Sequence, residues 1–142
     1  MRPGGLLEVI DSCGGEVASL DLCSAERYVT WGKAVDTSSV RGASRGELVD
    51  MLARRYMSRT PCPRMLNRTE RHELLSANAR RFGARGVVIM PLMFCDPFLY
   101  DLPALESHLD AAGIPSLVLQ SDYQDDNIGQ LTTRVEAFLE MI

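Results

Sequence analysis

Residues 87–92 read Val-Val-Ile-Met-Pro-Leu, which is a short, continuous apolar run. A run of this kind predicts a β-strand that is buried on both faces. A second run, residues 116–120, reads Ser-Leu-Val-Leu-Gln, and Glu16–Leu22 is expected to form a further short strand. Because helical patterns separate the later strands, the sequence predicts a parallel α/β sheet.

Five helices are expected around these strands, from the spacing of apolar residues and from capping signals. The pair Gly14-Gly15 stops the first helix. Ser44 with Glu47, and Asn67 with Glu70, are typical of capping boxes that open the second and third helices. The predicted helices cover about residues 6–13, 44–57, 67–82, 102–112 and 128–142.

The complete prediction is a single α/β domain over residues 1–142, with an exposed loop at about residues 34–44. Its sheet is expected to be three-layered, mostly parallel and flavodoxin-like, that is, Rossmann-like. Such a domain normally opens on a strand, whereas this chain opens on a helix. We therefore expect the first strand to be missing and the chain to be the C-terminal part of a longer architecture.

Composition excludes several classes of protein. Of the 142 residues, 46% are hydrophobic and 24% are charged, which is ordinary for one globular domain. No apolar run approaches the roughly 18 residues that a membrane span needs. Residues 1–5 lack the charged and apolar regions of a signal peptide. We expect a cytoplasmic protein that is not associated with a membrane.

The charges are unevenly distributed. Residues 54–85 hold nine arginines and two glutamates, whereas the chain from Cys95 onward holds nine carboxylates and one arginine. Such asymmetry predicts either a solvated helix face or an anion-binding or docking face. On the second interpretation Arg64 and Arg68 face an anionic ligand or a partner. Nucleic-acid binding is not expected, because aromatic residues are sparse in this segment. His72 and His108 are expected in solvated positions.

The four cysteines carry the site hypothesis. They contain no CxxC pair, so a self-contained zinc site is not expected. Cys23 and Cys95 each follow a predicted strand, and sites in open α/β sheets form at the carboxyl ends of the strands. We therefore expect both thiols on one edge of the sheet. The alternative is that each is a small buried hydrophobe.

An ordered set of segments extends from about Leu6 to Ile142. Phe94–Pro97 reads FCDP, and Tyr100-Asp101 follows it. The other segments are GGEV at 14–17, DLC at 21–23, RY at 27–28, PCP at 61–63, AGIP at 112–115, DY at 122–123 and GQLTTRVEAF at 129–138. Together they resemble the subunit family of the 2-hydroxyacyl-CoA dehydratases and benzoyl-CoA reductases, which are oxygen-sensitive iron–sulfur enzymes.

The resemblance implies a set of site residues. The cysteine of the family's FCDP segment is a ligand of a [4Fe–4S] cluster, and it corresponds to Cys95. Members of the family are longer, and an upstream domain contributes further ligands. This chain is therefore expected to share its cluster with an upstream domain or a partner chain. Cys23 and Cys62 match family positions as weaker ligand candidates. Gln130 and Arg134, four residues apart on the last helix, are expected to lie beside the site.

The resemblance also implies a reaction. Family members remove water from a 2-hydroxyacyl-CoA, which is difficult because the β-hydrogen is not acidic. A single electron delivered through the cluster converts the thioester to a ketyl and makes the elimination possible. The reductases apply the same electron chemistry to an aromatic thioester. The expected partners are the acyl-CoA substrate, a sister subunit and an ATP-dependent activator, in an oligomer.

Three hypotheses follow. The first is a fragment or split subunit of a lyase or reductase of this family, which is not a complete enzyme alone. The second is a non-catalytic module that keeps the family fold and acts in assembly or docking. The third is an unrelated flavodoxin-like binding domain, which the ordered segments disfavour. The sequence does not separate the dehydratase branch from the reductase branch.

Overall fold

The two apolar runs form the parallel strands β1 (Val87–Ile89) and β2 (Ser116–Val118), as the sequence predicts. The register places Val88 opposite Leu117. The N–H of Leu119 continues the ladder with a 2.8 Å hydrogen bond to the last carbonyl of β1. The carboxyl ends of β1 and β2 therefore lie at the same edge of the sheet.

The structure is a computed structural model that describes residues 3–22, 38, 40–58, 62–64, 67–120 and 128–142. Two compact units are present: Met1–Ser19 with Cys62–Ile142, and Leu20–Pro61. The larger unit contains the sheet. The helices of the described residues are α1 (Pro3–Ser12), α2 (Arg45–Met57), α3 (Arg68–Arg81), α4 (Asp96–Ala111) and α5 (Ile128–Met141).

The prediction of a strand at Glu16–Leu22 is wrong, because these residues have no regular structure. Val17 is exposed and Leu20 is only half-buried, so the segment does not bury an alternating face. Within the described residues the sheet consists of β1 and β2. The mixed α/β composition and the parallel pairing are thus confirmed. A three-layer flavodoxin-like sheet, which needs more strands, stays a prediction.

Both faces of the small sheet are covered by helices of the larger unit. Successive side chains of a strand point to opposite faces, so Val88 and Leu117 share one face while Ile89 and Val118 share the other. The first face packs against α1 and α5 through Leu6, Val9, Ile10, Leu119, Leu131 and Val135. The second packs against α3 and α4 through Ala79, Leu102, Leu105, Leu109 and Ile114.

Glycines end three of the helices where the sequence predicts it. Gly14, Gly83 and Gly113 have φ angles of 79°, 66° and 70°. In each case the next residue donates its N–H to a carbonyl in the last turn of the helix, for example Ile114 to Leu109 at 2.9 Å. This left-handed ending is strained for a residue with a Cβ, which is why glycine occupies it.

Helix α4 begins at Asp96 and not at about Leu102, so the predicted start is wrong. Proline is common at the first position of a helix, which favours a start close to Pro103. The helix nevertheless continues through this residue. Pro97 lies in the first turn, where a missing N–H costs nothing. The buried side chains of Leu102 and Leu105 hold the helix on both sides of Pro103.

The two predicted capping boxes have different outcomes. Ser44 forms its box, because its hydroxyl accepts from the Glu47 N–H at 3.3 Å and its own N–H donates to the Glu47 carboxylate at 2.7 Å. Asn67 does not cap α3 with its side chain. Its amide donates instead to the Glu70 carboxylate. Both helices nevertheless begin where predicted.

The smaller unit is described at residues 20–22, 38 and 40–58. It contains α2, and none of the residues of α2 is buried. Of the predicted loop at 34–44, residues 34–37 and 39 lie outside the described residues. Val40 in the described part is exposed. Across the described chain, none of the helices has the length and apolarity that crossing a membrane requires.

The Ser44–Glu47 box generates a prediction about pH. The hydrogen bond from the Ser44 backbone, and then that with the Ser44 hydroxyl, lowers the pKa of Glu47 from its ordinary value. A carboxylate whose pKa is lower in the folded state stabilises the fold above its unfolded pKa, and this contribution disappears as the pH falls through the folded pKa. An NMR titration of the full chain should place the Glu47 midpoint below its ordinary value. A midpoint at or above that value would contradict the capping geometry. Glu47→Gln should remove this titration.

The contact between Gly86 and α5 generates a prediction about stability. A Cβ on Gly86 would lie 2.6 Å from Cζ of Phe138, whose ring is buried. We expect Gly86→Ala to lower the free energy of unfolding by about 1–3 kcal/mol through overpacking. Gly129→Ala is the control, because nothing lies within 4 Å of that position. Urea unfolding that ranks the two variants equally would show that Phe138 relaxes freely.

Candidate functional site

Cys95 lies at the carboxyl edge of β1, as the sequence predicts. A turn leads to it, in which the Cys95 N–H donates to the Leu92 carbonyl at 3.1 Å. Cys95 is the N-cap residue of α4, and its carbonyl accepts from Phe98 and Leu99 at 2.9 and 3.0 Å. Its thiol makes no capping hydrogen bond, and the residue is half-buried. The turn and the helix together position this thiol.

The residue before Cys95 is conformationally strained. Phe94 has a φ of 68°, in the left-handed region that few residues other than glycine adopt. Its side chain is 87% exposed, so packing of the ring does not compensate for the strain. The backbone on either side must therefore hold this conformation. Such backbone outliers concentrate at functional sites, so this turn is a candidate functional site.

Apolar side chains surround Cys95 in the sequence and point into solvent. We define the apolar rim as the exposed Leu92, Met93, Phe94 and Tyr100. Scattered exposed hydrophobes are ordinary, but consecutive ones beside a thiol are typical of a surface that another protein or ligand covers.

A buried polar network lies between α3 and α4. The Asp101 carboxylate accepts from Arg71 Nη1 at 2.6 Å. It also accepts from Nε2 of His72 at 3.0 and 3.1 Å, since an ionised carboxylate can only accept. Arg71, His72 and Asp101 are exposed by only 1%, 6% and 5%. The expectation that His72 is solvated is therefore wrong.

Two further contacts extend this network. The Arg71 guanidinium lies over the Phe98 ring, 4.9 Å from its centroid. Nε2 of His108 lies 3.1 Å from Oγ of Ser76, so His108 is not simply solvated either. Ser76 donates to the backbone carbonyl of Glu73 at 3.0 Å. Because this hydroxyl is buried and is directed at a carbonyl, the pair does not have the geometry of an activated nucleophile.

One signal in the sequence points to this network. Asp101 precedes Leu105 and Leu109 at a spacing of four residues, which puts it on the buried stripe of α4. A carboxylate on a buried stripe requires a charged or hydrogen-bonding partner. The partner, however, comes from α3, thirty positions away in the chain.

The remaining predicted site residues occupy different places. Cys62 is half-buried, and Cys23 lies outside the described residues. The strand that was expected to carry Cys23 to the sheet edge is absent at Glu16–Leu22. Arg134 is exposed and donates through Nη2 to the Val118 carbonyl at 2.8 Å, so it lies at the carboxyl end of β2. Gln130 is exposed on the same helix.

The described residues do not assemble a metal site by themselves. Among them, no group of three or more histidine, cysteine, aspartate and glutamate side chains is arranged to hold a metal ion. The described cysteines form no disulfide. Cys13 packs at the edge of the cluster formed by α1 and α5. Cys95 is thus the thiol that the described fold places at the carboxyl edge of β1.

The arginine-rich segment is not uniform. Arg71 is buried in the network, whereas five other arginines of the described segment around α3 are exposed: Arg64, Arg68, Arg80, Arg81 and Arg85. Arg80 reaches the Ala112 carbonyl at 3.4 Å, and Arg81 lies over Phe82. One member of the predicted charged face therefore has a structural partner in the interior.

These observations define a class of structure. It is a small parallel sheet covered by helices, with a cysteine at the carboxyl end of its first strand. Residues 1–142 match the family described as 2-hydroxyglutaryl-CoA dehydratase, D-component. The chain belongs to this family, which confirms the resemblance drawn from the sequence segments.

Three curated relatives of this chain are named as dehydratase subunits. YjiM of Escherichia coli (strain K12), which carries the provisional name of a dehydratase subunit, is 28% identical over 96% of this chain and 33% of its own length. The (R)-phenyllactyl-CoA dehydratase beta subunit of Clostridium sporogenes is 29% identical over 66% and 25%. The (R)-2-hydroxyglutaryl-CoA dehydratase subunit beta of Acidaminococcus fermentans is 37% identical over 42% and 16%. The chain spans about a third or less of the length of these curated relatives.

The buried pair of Arg71 and Asp101 generates a stability prediction. Asp101→Ala removes the carboxylate to which Arg71 and His72 donate, and breaking a buried ion pair in this way should lower the free energy of unfolding by about 3–5 kcal/mol. The double variant Arg71→Met/Asp101→Leu should recover part of this loss, because an apolar pair can replace a buried ion pair, although the buried Nε2 of His72 still loses its Asp101 acceptor. Urea unfolding measures both.

Asp110→Ala is the control for this prediction. Asp110 lies on the same helix but is exposed, so its removal should change the free energy of unfolding by less than about 0.5 kcal/mol. If Asp101→Ala behaved like this control, the ion pair would not contribute to the packing of α3 on α4.

Proposed function

We propose that this chain is the part of a 2-hydroxyacyl-CoA dehydratase-type subunit that supplies Cys95 as one thiolate ligand of a [4Fe–4S] cluster. The remaining ligands come from an upstream domain or a partner chain. The observation that carries the proposal is the coincidence of two findings: the chain matches the dehydratase family over its full length, and its FCDP cysteine lies at the carboxyl edge of a buried strand.

The residues present fit one corner of such a cluster. Iron–sulfur clusters are held by cysteine thiolates. Cys95 is half-buried at the start of α4, accessible to a group beyond the chain, and its sulfur does not serve as a helix cap. The described residues contain no ligand group of three, and the proposal therefore takes the other ligands from outside the described residues. The apolar rim would shield such a cluster from water once another surface covers it.

The proposed reaction is the removal of water from a 2-hydroxyacyl-CoA, or the reduction of an aromatic acyl-CoA in the related branch. The cluster, when bound, would supply the single electron that converts the thioester to a ketyl. Relatives are named for phenyllactyl-, lactoyl- and 2-hydroxyglutaryl-CoA, so the family accepts aromatic, short and acidic acyl groups.

Other residues of this chain would bind the substrate and the partners and hold them in position. Arg134, tied to the end of β2, and Gln130, on the preceding turn, would line the same edge as Cys95. The exposed Arg64 and Arg68 would bind the phosphates of coenzyme A or an ATP-dependent activator through charge-assisted hydrogen bonds. A sister subunit is proposed because relatives are named as beta subunits. The assembled oligomer would work in the cytoplasm without oxygen, where thiols stay reduced.

A second candidate function is a non-catalytic assembly module. The observation that favours it is the apolar rim, since exposed apolar side chains suit a docking surface with or without a cluster. Both functions need the family fold. They differ in whether Cys95 binds iron.

The experiment compares wild type with Cys95→Ala in the assembled enzyme, reconstituted anaerobically with iron and sulfide. Loss of one thiolate ligand should lower the iron content or change the visible and EPR spectra, and dehydration or reduction should fall to background. Cys13→Ala is the matched control, because Cys13 lies at the edge of the hydrophobic core. It should keep iron, spectrum and activity.

The outcomes separate the two functions. A Cys95→Ala enzyme with full iron, an unaltered spectrum and normal turnover would contradict the ligand assignment. An assembled protein that never binds iron and has no activity, while the complex with its partner forms normally, would establish the assembly module instead.

A further inference from the structure

We infer that Arg71 and Asp101 are positioning residues that fix the first turn of α4 and, through it, the placement of Cys95. The use of that placement for a cluster ligand rests on the proposed function. The anchoring itself is a property of the fold and can be tested without iron.

The geometry puts one guanidinium in contact with two successive turns of the helix that begins after Cys95. Phe98 lies three residues after Cys95, and Asp101 lies six residues after it. Arg71 contacts both: it donates to Asp101 at 2.6 Å and lies over the Phe98 ring at 4.9 Å. Because α3 supplies Arg71 and α4 supplies the other two, the contact holds the start of α4 against a neighbouring helix.

The beginning of α4 is less deeply buried than the rest of the helix. Asp96 and Tyr100 are exposed, and Phe98 is half-buried, with its ring at the edge of the hydrophobic cluster between α3 and α4. The fully buried apolar side chains of the helix begin at Leu102 and continue with Leu105 and Leu109. Going along the helix from Cys95, Asp101 is therefore the first buried side chain.

Pro103 separates the two halves of the helix. A proline has no N–H, so residue 103 cannot donate to the carbonyl of Leu99 as a helical residue normally would. The first turn is thus joined to the rest of α4 by one backbone hydrogen bond fewer. Packing of Leu105 and Leu109 would hold the later turns without holding the first one equally well.

The turn that precedes Cys95 also needs a contact that holds it in place. Phe94 holds a left-handed backbone although its ring is 87% exposed. A strained conformation persists only where the flanking structure imposes it. Strand β1 holds one end of this turn, and the first turn of α4 holds the other. The Arg71–Asp101 pair supplies the directional contact at that second end.

The test measures amide hydrogen exchange in the full chain. The N–H groups of Phe98 and Leu99 are bonded to the Cys95 carbonyl, so their exchange reports opening of the first turn of α4. The N–H of Val135, in the other core cluster, reports opening of the fold as a whole. The quantity of interest is the ratio of the two exchange rates, because a general loss of stability raises both.

Two variants remove the anchor in different ways. Arg71→Met/Asp101→Leu keeps apolar burial and removes the directional contacts, and Asp101→Asn keeps shape and removes the charge. In either variant the ratio should rise roughly tenfold, which corresponds to a local opening easier by about 1.4 kcal/mol. Asp110→Asn, the same chemical change on the exposed face of α4, should leave the ratio unchanged.

The result that would overturn the inference is a constant ratio in both anchor variants, since the pair would then contribute only to global stability. This outcome is distinct from failure of the proposed function. If the ratio rises but Cys95→Ala keeps its iron, the anchor stands and Cys95 is not a ligand. If Cys95→Ala loses iron but the ratio is constant, the ligand stands and the anchor does not exist.

Discussion

Two strands of three residues each must bury both of their faces, and this constraint organises the larger unit. A strand pair this short is not stable in water without cover. Val88 and Leu117 are covered by α1 and α5, and Ile89 and Val118 are covered by α3 and α4. Parallel pairing then brings both carboxyl ends to one edge. The position of Cys95 after β1, and of Arg134 against the end of β2, follows from that pairing.

The region around Cys95 combines buried charged side chains with exposed apolar side chains. Behind Cys95, an arginine, a histidine and an aspartate are almost completely buried. In front of it, the apolar rim is exposed. A buried ion pair is not an efficient way to stabilise a fold, since apolar residues of similar volume often do as well. The geometry of an ion pair is directional, however. It therefore suits a region in which the orientation of one side chain matters more than the free energy of unfolding.

Family membership and structure inform function at different levels. The match over residues 1–142 assigns the chain to the dehydratase family, and the chain spans about a third or less of the length of each relative. The described residues present a cysteine but no group able to hold a metal. Both findings are consistent with a catalytic centre completed by another domain or chain, which is the proposal made above.

The sequence by itself determined the parallel strands, most helix boundaries and the position of Cys95. These depend on local signals: apolar runs for the strands, glycines with positive φ for the helix ends, and the Ser44–Glu47 capping box. Glu16–Leu22 was mispredicted because an extended segment becomes a strand only if a partner strand is available. Only the tertiary structure decided that Arg71 meets Asp101, because their partnership depends on how α3 packs against α4. Pairing across thirty positions leaves no periodic trace in the sequence, and so His72 was expected to be solvated although it is buried against Asp101.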